Sequence, residues 1–124
     1  MIKLCNFLKM SSPKIFCWID LEMTGLDIEK EKIIECACIL TDSTREMNEI
    51  ARFGPIVVNQ PDTLLDSMDD WNTKHHGESG LTKQVKESKI SDSEAEQQLL
   101  SFIKKYCPEK RTAYLAGNSV HGRL

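Results

Sequence analysis

Asp20 and Glu22 are the first residues of this 124-residue sequence whose types and spacing predict chemistry. They follow an apolar run that is typical of a buried β-strand. Side chains two positions apart on a strand lie on the same face, about 6.6 Å apart along it. Two carboxylates in a buried strand repel each other and are costly unless a cation lies between them. The pair therefore predicts a site for hard divalent ions such as Mg²⁺ or Mn²⁺.

Two such ions, about 3.5–4 Å apart, activate water and stabilise the leaving oxygen when a phosphodiester is cleaved. An isolated Asp-x-Glu string is a weak signal, because it is more often a solvated strand end. Leu26 follows in a loop that Gly25 allows to turn tightly. Leu26 either wedges against a nucleobase or covers the core, and spacing alone favours the core.

Trp71, His75 and His76 form a second group with chemical potential. Residues four or five apart on a helix share part of a face, so the three side chains are expected to line one wall. Aromatic rings stack on bases, and histidine stacks or binds phosphate. The alternative is that Trp71 anchors the helix to the sheet while one histidine caps it. A zinc site formed with the cysteines is not favoured, because adjacent histidines rarely point the same way.

The last candidate is Ser119, in a string of small residues that follows an expected strand. Small residues allow close approach of a ligand to the backbone, and the Ser119 hydroxyl is able to bind phosphate. Taken alone, such a string is more often a turn.

The elements that must position these residues follow from hydrophobic periodicity. The expected strands are Lys14–Leu21, Lys32–Thr41, Ile50–Val58 and Ala113–Ala116. One short helix is expected to contain Leu64 to Trp71 and to close at His75-His76-Gly77, and the others are Gly80–Lys89 and Asp92–Tyr106. Ser91 and Glu94 form a capping box at the start of the longest helix.

Three consecutive strands followed by helices and a fourth strand predict an α/β mixed sheet. We expect an antiparallel meander, a helical crossover and a fourth strand parallel to the first. Residues 14–124 are expected to form one domain, and residues 1–13 an extension that is disordered or has a targeting role.

Composition limits the classes of function. The net charge of −3 argues against coating of long nucleic acid by charge alone, although a short, metal-bridged one is still compatible. The five cysteines lack a Cys-x-x-Cys string and are interpreted as reduced core thiols of an intracellular protein. No apolar run is long enough to span a membrane.

Five strings together resemble oligoribonuclease, of the DEDDh group of 3′-to-5′ exonucleases with a ribonuclease-H-like fold. They are WIDLEMTGLD, KIIECACILTD, LLDSMDDWN, HHGESGLTKQVKES and LAGNSVH, and the resemblance covers about residues 16–121. The resemblance implies an enzyme that degrades short oligoribonucleotides to mononucleotides from the 3′ end with two Mg²⁺ or Mn²⁺ ions. It also implies a homodimer in which the partner subunit completes the site, and a mitochondrial or cytoplasmic location, or both.

The resemblance assigns roles residue by residue. Asp20 and Glu22 match the first pair of metal-binding catalytic acids, and Leu26 and Trp71 match residues that clamp the 3′-terminal bases. His76, rather than His75, matches a residue of the same pocket. The remaining match is Ser119, near the 5′ phosphate of the substrate.

The sequence departs from the family pattern at Arg123, where a catalytic aspartate is expected two residues after His121. The family's fourth acid and general-base histidine are also lacking, so two of five signature residues are present. We therefore expect the chain to be a truncated product, whether an isoform, a frameshift or an incomplete gene model. We also expect an uncovered apolar sheet face and little or no catalytic activity.

Two other classes are compatible with parts of the sequence. A non-catalytic module that binds short RNA or pairs with full-length subunits would retain Leu26, Trp71 and His76 without needing the missing acids. A DNA proofreading exonuclease shares the Asp-x-Glu strand, but it does not explain the DDWN and GNSVH strings together.

Overall fold

The computed structural model describes residues 14–117. The predicted extension, residues 1–13, and the C-terminal positions Ser119, His121 and Arg123 lie outside the described residues. The strands are β1 Ile15–Met23, β2 Ile33–Asp42, β3 Glu49–Val57 and β4 Ala113–Ala116. The helices are α1 Asp62–Asp66, α2 Asp70–Glu78, α3 Leu81–Glu87 and α4 Asp92–Tyr106. None of these helices is long and apolar enough to cross a membrane.

The four strands form one mixed sheet in the order β3-β2-β1-β4. β1 pairs with β2 and β2 with β3 in antiparallel fashion, whereas β1 and β4 are parallel. The helices between β3 and β4 form the crossover that a parallel pair requires. The predicted α/β mixed sheet, with its meander and its parallel fourth strand, is confirmed.

Helix α4 covers one face of the sheet. The predicted capping box starts it, because the Ser91 hydroxyl accepts the Glu94 N–H and the Glu94 carboxylate accepts the Ser91 N–H. An apolar stripe on the helix then packs against the odd-numbered side of β1 and against β2. This cluster contains Cys17, Cys38, Leu40, Leu99, Phe102, Ile103 and Tyr106. Because this stripe covers one face of the sheet, the opposite face remains available for the candidate site.

A second core cluster holds the shorter helices to the sheet. Leu65 of α1 and Leu81 and Val85 of α3 pack with Ile34 at the start of β2. Val85 and Ile34 are completely buried. Helix α2 connects α1 to α3 in the chain. Since both of those helices are packed on the sheet, α2 is held beside the end of β1.

The opposite face of the sheet carries the even-numbered side chains of β1. Phe16 packs edge-on against Trp18 and Tyr114 there, and all three side chains keep some exposure to solvent. The sequence predicts a buried strand, but this side of β1 is only partly buried. The physical reason is that α4 and its apolar stripe pack on the other side.

Two differences from the sequence prediction affect the candidate site, and the other bounds agree within two residues. β1 continues past the predicted end at Leu21 to Met23, which places Glu22 inside the strand. The single helix predicted after Pro61 is instead two helices, α1 and α2. A new helix begins because the Asp69 carboxylate accepts the backbone N–H of Asn72 and caps it.

The cysteines of the described residues are free and buried, as predicted. The Sγ atoms of Cys17 and Cys38 lie 3.4 Å apart in the cluster beneath α4. Burial raises the pKa of the Cys36 and Cys107 thiols above the usual range. These thiols behave as small core residues and take no part in the site described next.

Candidate metal and nucleic-acid site

Asp20 and Glu22 lie on the face of the sheet opposite to α4. In the antiparallel register with β2, Asp20 is paired with Ala37 and Glu22 with Glu35. Glu22 is half-buried, but Asp20 is exposed, so the expectation that both carboxylates would be buried is wrong for Asp20. An exposed carboxylate keeps much of its hydration. Repulsion between the acids, rather than burial, is therefore the reason that a cation would be favoured here.

Glu35 is a third carboxylate of this face, which the sequence analysis missed. Directly opposed residues of an antiparallel pair have Cβ atoms about 4.5–5.5 Å apart, so Glu35 and Glu22 are close neighbours. Burial, and then the charges of Glu22 and Asp20, raise the pKa of Glu35 above its usual range. The available signal was one acid inside an otherwise apolar strand. Three carboxylates on one face suit the oxygen-rich coordination that Mg²⁺ and Mn²⁺ prefer.

Glu35→Gln is expected to stabilise the metal-free protein at pH 7 by roughly 0.2–1 kcal/mol, the usual scale of a directly opposed cross-strand pair. Because the pKa of Glu35 is raised in the folded state, ionisation above that pKa destabilises the native protein. The stability difference should therefore vanish below about pH 4, where the carboxyl is protonated in both states. Urea unfolding from about pH 3 to pH 8 with a chelator measures this difference in stability.

The matched control is Glu46→Gln, an exposed glutamate in the turn at the far end of β2. It should leave the pH dependence of unfolding unchanged. Equal pH profiles for Glu35→Gln and the unsubstituted protein would contradict the proximity of the three carboxylates.

The loop after β1 is held in place by a buried threonine. The Thr24 hydroxyl donates to the Glu31 carboxylate at 2.5 Å and accepts the Lys32 N–H at 3.0 Å. Gly25 lies against the Glu31 side chain. A Cβ atom added at Gly25 would fall 2.8 Å from Glu31 Cδ. This anchoring presents Leu26 to solvent with 89% of its surface exposed. The alternative that Leu26 covers the core is therefore wrong.

The start of α2 determines the position of Trp71. Asp69 caps the helix, and its carboxylate also accepts the side-chain amide of buried Asn72. These N–H groups lower the pKa of Asp69 below its usual range. Trp71 then points outward and is 66% exposed. It does not anchor the helix in the core, as one interpretation of the sequence expected.

The two histidines of α2 have different environments. His75 is exposed and stacks on Trp71 with ring centroids 4.6 Å apart and planes at 16°. His76 is buried, and its Nε2–H donates to the backbone carbonyl of Met23 at 2.9 Å. This hydrogen bond ties α2 directly to the end of β1.

The fold therefore brings Glu22 of the predicted acid pair next to the predicted group of Trp71, His75 and His76. One ligand atom from each of Glu22, His75 and His76 lies within 4.8 Å of the others. Trp71 adjoins this group through its stack on His75. Leu26 is in the loop that leaves the same strand, and Ser119 lies outside the described residues. Carboxylates for a cation thus lie beside an exposed aromatic surface of the kind that stacks on a base.

The chain has a mixed sheet with two carboxylates near the C-terminal end of its first strand, an arrangement that suits a metal-dependent nuclease. The chain belongs to the exonuclease family RNase_T, whose sequence pattern matches residues 17–123. Membership implies a general dependence on divalent metal ions, and the carboxylates of this face suit that requirement. The predicted family assignment is confirmed.

Among the relatives of this chain are proteins named oligoribonuclease. The mitochondrial oligoribonuclease of Homo sapiens is 56% identical over 104 residues, which are 84% of this chain and 43% of the relative. The oligoribonucleases of Marinobacter nauticus and Pseudomonas aeruginosa are 53% and 48% identical over 111 residues, which are 90% of this chain and 60% of each relative. The predicted resemblance to oligoribonuclease is confirmed, and the chain spans about half the length of the curated relatives it matches.

Proposed function

We propose that this protein contributes to a 3′-to-5′ exoribonuclease that degrades short oligoribonucleotides to mononucleotides with two divalent ions, Mg²⁺ or Mn²⁺. The observation that carries the proposal is the junction at Glu22, where a carboxylate of β1 adjoins the histidines and the exposed Trp71 of α2. The names of the relatives support the choice of substrate.

Asp20 and Glu22 would hold the metal ions. When bound, the ions activate water and stabilise the leaving oxygen of the phosphodiester. The exposed carboxylate of Asp20 faces solvent, and that of Glu22 lies at the junction with α2. Glu35 adds to the negative potential that attracts cations to this face.

Leu26 and Trp71 would hold the terminal bases. Both side chains are large, apolar and mostly exposed, so they are accessible to a base. His76 would line the same pocket, because its hydrogen bond to Met23 fixes the ring at the junction of β1 and α2. A net charge of −3 suits a small pocket better than an extended track for long RNA.

We further propose that these 124 residues bind short RNA but have little hydrolytic activity by themselves. Asp20 and Glu22 match two of the five signature residues implied by the resemblance, and Arg123 stands where a third acid is expected. An arginine repels cations instead of binding them. The alternative is a module that only binds short RNA and does not contribute to hydrolysis in any assembly.

The experiment is to measure binding and hydrolysis of a 5′-phosphorylated RNA dinucleotide in the presence of Mn²⁺. Trp71→Ala is expected to weaken binding about 5- to 150-fold, because stacking contributes about 1–3 kcal/mol per base. Hydrolysis by the 124-residue chain is expected to remain near background. Fluorescence anisotropy and chromatography of the products measure the two quantities in the same samples.

Tyr114→Ala is the matched control, since it removes an exposed aromatic side chain that is paired with the other end of β1. It should leave dinucleotide affinity within about twofold. Unchanged binding by Trp71→Ala, or equal affinity for a long RNA, would contradict the proposed pocket. Rapid hydrolysis would contradict the predicted inactivity and exclude the non-catalytic alternative.

Assembly and location are the remaining parts of the proposal. The homodimer is supported by the resemblance, and a mitochondrial location by the names of the human, mouse and bovine relatives. A cytoplasmic location is the alternative. Light scattering of the purified chain and imaging of a tagged chain in cells test these two points.

A further inference from the structure

Glu22, His75 and His76 together offer one carboxylate oxygen and two imidazole nitrogens as possible metal ligands. One ligand atom from each residue lies within 4.8 Å of the others. We propose that this cluster, the Glu-His-His cluster, binds a late first-row divalent ion such as Zn²⁺. The two imidazoles distinguish this site from the all-carboxylate site for Mg²⁺ or Mn²⁺, although both sites use Glu22.

The donor chemistry determines the class of ion. Two imidazoles and one carboxylate are a common set of protein ligands for zinc, with the fourth position left to water. Mg²⁺ prefers oxygen ligands and loses its water reluctantly, so imidazole nitrogen selects against it. Affinity for a nitrogen- and oxygen-donor site generally rises along the first row from manganese to copper and falls again at zinc. The cluster is therefore expected to distinguish Zn²⁺ from Mg²⁺.

The hydrogen bond of His76 to Met23 leaves one ring nitrogen available to a metal ion. A carbonyl oxygen only accepts, so the contact with Met23 places the proton on Nε2 and leaves the lone pair on Nδ1. Metal-binding histidines usually donate their other ring N–H to such a backbone carbonyl or to a carboxylate. The bond also holds α2 at the end of β1, where Glu22 lies.

His75 is oriented by its stack on Trp71. The two rings are nearly parallel, so Trp71 covers the flat face of His75 and leaves the ring nitrogens at its edge uncovered. The rings of His75 and His76 approach to 5.4 Å between centroids, at 66°. The expectation that adjacent histidines point apart is therefore wrong in this helix.

Little movement is needed to form the site. Ligands about 2.0–2.1 Å from a tetrahedral zinc ion lie about 3.3 Å from one another, so the three atoms must approach by on the order of 1.5 Å. His75 is exposed and is expected to provide most of this movement, with some loss of its stack on Trp71. The neighbouring carboxylates Asp20 and Glu35 attract a divalent cation to the same place.

Zinc in this cluster has a regulatory consequence that rests on the proposed function. Glu22 cannot serve both sites fully, and His76 would be withdrawn from the base-binding pocket. Zn²⁺ is therefore expected to lower the affinity for the RNA dinucleotide in the presence of Mn²⁺. Zinc binding itself is measured without RNA, so its failure and the failure of the proposed function are distinguishable.

The test is calorimetric titration of the reduced 124-residue chain with Zn²⁺ alone. His75→Asn is expected to weaken zinc binding at least tenfold while leaving Mg²⁺ binding unchanged, and Glu22→Gln is expected to weaken both. His121→Asn, at the one remaining histidine of the sequence, is the matched control and should bind zinc normally. His75 is the preferred position because it is exposed, whereas replacing buried His76 also removes a contact between α2 and β1.

A second measurement identifies the donor atoms. Co²⁺ bound in place of Zn²⁺ is expected to show visible d–d bands without the near-ultraviolet charge-transfer band of thiolate ligands, and His75→Asn should remove these bands. A thiolate band would assign the metal to the cysteines and overturn the proposal. Equal zinc affinity of His75→Asn and the unsubstituted chain would overturn it as well.

Discussion

Asp20→Asn is expected to weaken the Mn²⁺-dependent binding of an RNA dinucleotide by at least about 100-fold. Even residues that only support a metal ligand typically cost 10–100-fold when they are lost, and Asp20 is a proposed direct ligand. The substitution keeps the shape of the side chain but removes one of the three neighbouring negative charges of Asp20, Glu22 and Glu35. Anisotropy titrations of the labelled dinucleotide at fixed Mn²⁺ measure the loss.

The metal-free Asp20→Asn variant should be at least as stable as the unsubstituted protein. Asp20 is exposed, and its removal relieves repulsion with Glu22 and Glu35. Urea unfolding in the presence of a chelator therefore separates the loss of a ligand from misfolding. Glu96→Gln, in the helix that covers the other face of the sheet, carries the same change of charge and should bind normally. Full Mn²⁺-dependent binding by Asp20→Asn would show that the proposed metal site is wrong.

Gly54→Ala is expected to destabilise the protein by about 3 kcal/mol, near the upper end of the usual range for single substitutions. Gly54 has a φ of +75°, which costs other residues roughly 1–2 kcal/mol. An added Cβ would also lie 2.7 Å from the backbone oxygen of Cys36 and 2.9 Å from the backbone nitrogen of Ile56. Backbone atoms of a paired strand cannot move aside as a flexible side chain can, so the sheet itself must shift.

The geometry at Gly54 comes from an irregularity in the pairing of β2 and β3. Cys36 is paired with Ile56 and Cys38 with Phe53, so two residues of β3 lie opposite the single residue Ala37. Such a bulge bends its strand and is common beside active sites. Ala37 is in turn the partner of Asp20 in β1, so the bulge adjoins the strand position of a candidate ligand.

Thermal and urea unfolding measure the effect of Gly54→Ala. The melting temperature should fall by more than 10 °C, since 1 kcal/mol corresponds to roughly 4–8 °C in a domain of this size. Gly77→Ala is the matched control, because an added Cβ in α2 would meet no atom within 4 Å. That substitution should stabilise the protein by up to about 1 kcal/mol. A stable Gly54→Ala variant would mean that the bulge does not form as described.

The long helix and the order of the strands were predictable from the sequence. Ser91 and Glu94 lie three residues apart and precede an apolar stripe, so local contacts alone define the start and the buried side of α4. The bounds of α4 and β4 agree with the prediction. The parallel pairing of β1 and β4 follows from the helical crossover, because a direct hairpin cannot connect parallel strands.

The division of the helical region after Pro61 was less predictable. Leu64, Leu65, Met68 and Trp71 have the spacing of a single helix, but the Asp69 carboxylate competes for the N–H of Asn72 and starts a new one. The same cap turns Trp71 outward. Periodicity records which residues are apolar, but it does not distinguish a residue that enters the core from one that faces a ligand.

The sequence by itself determined the family, the mixed sheet and the placement of Asp20 and Glu22 on the same face of one strand. These features depend on neighbouring residues, on helical and strand periods, and on ordered strings that can be read directly. Only the tertiary structure decided that Glu35 opposes Glu22, and that His75 and His76 lie beside the same carboxylate. The reason is physical: strand register and the docking of α2 onto β1 join residues distant in sequence, and local patterns do not encode such distances.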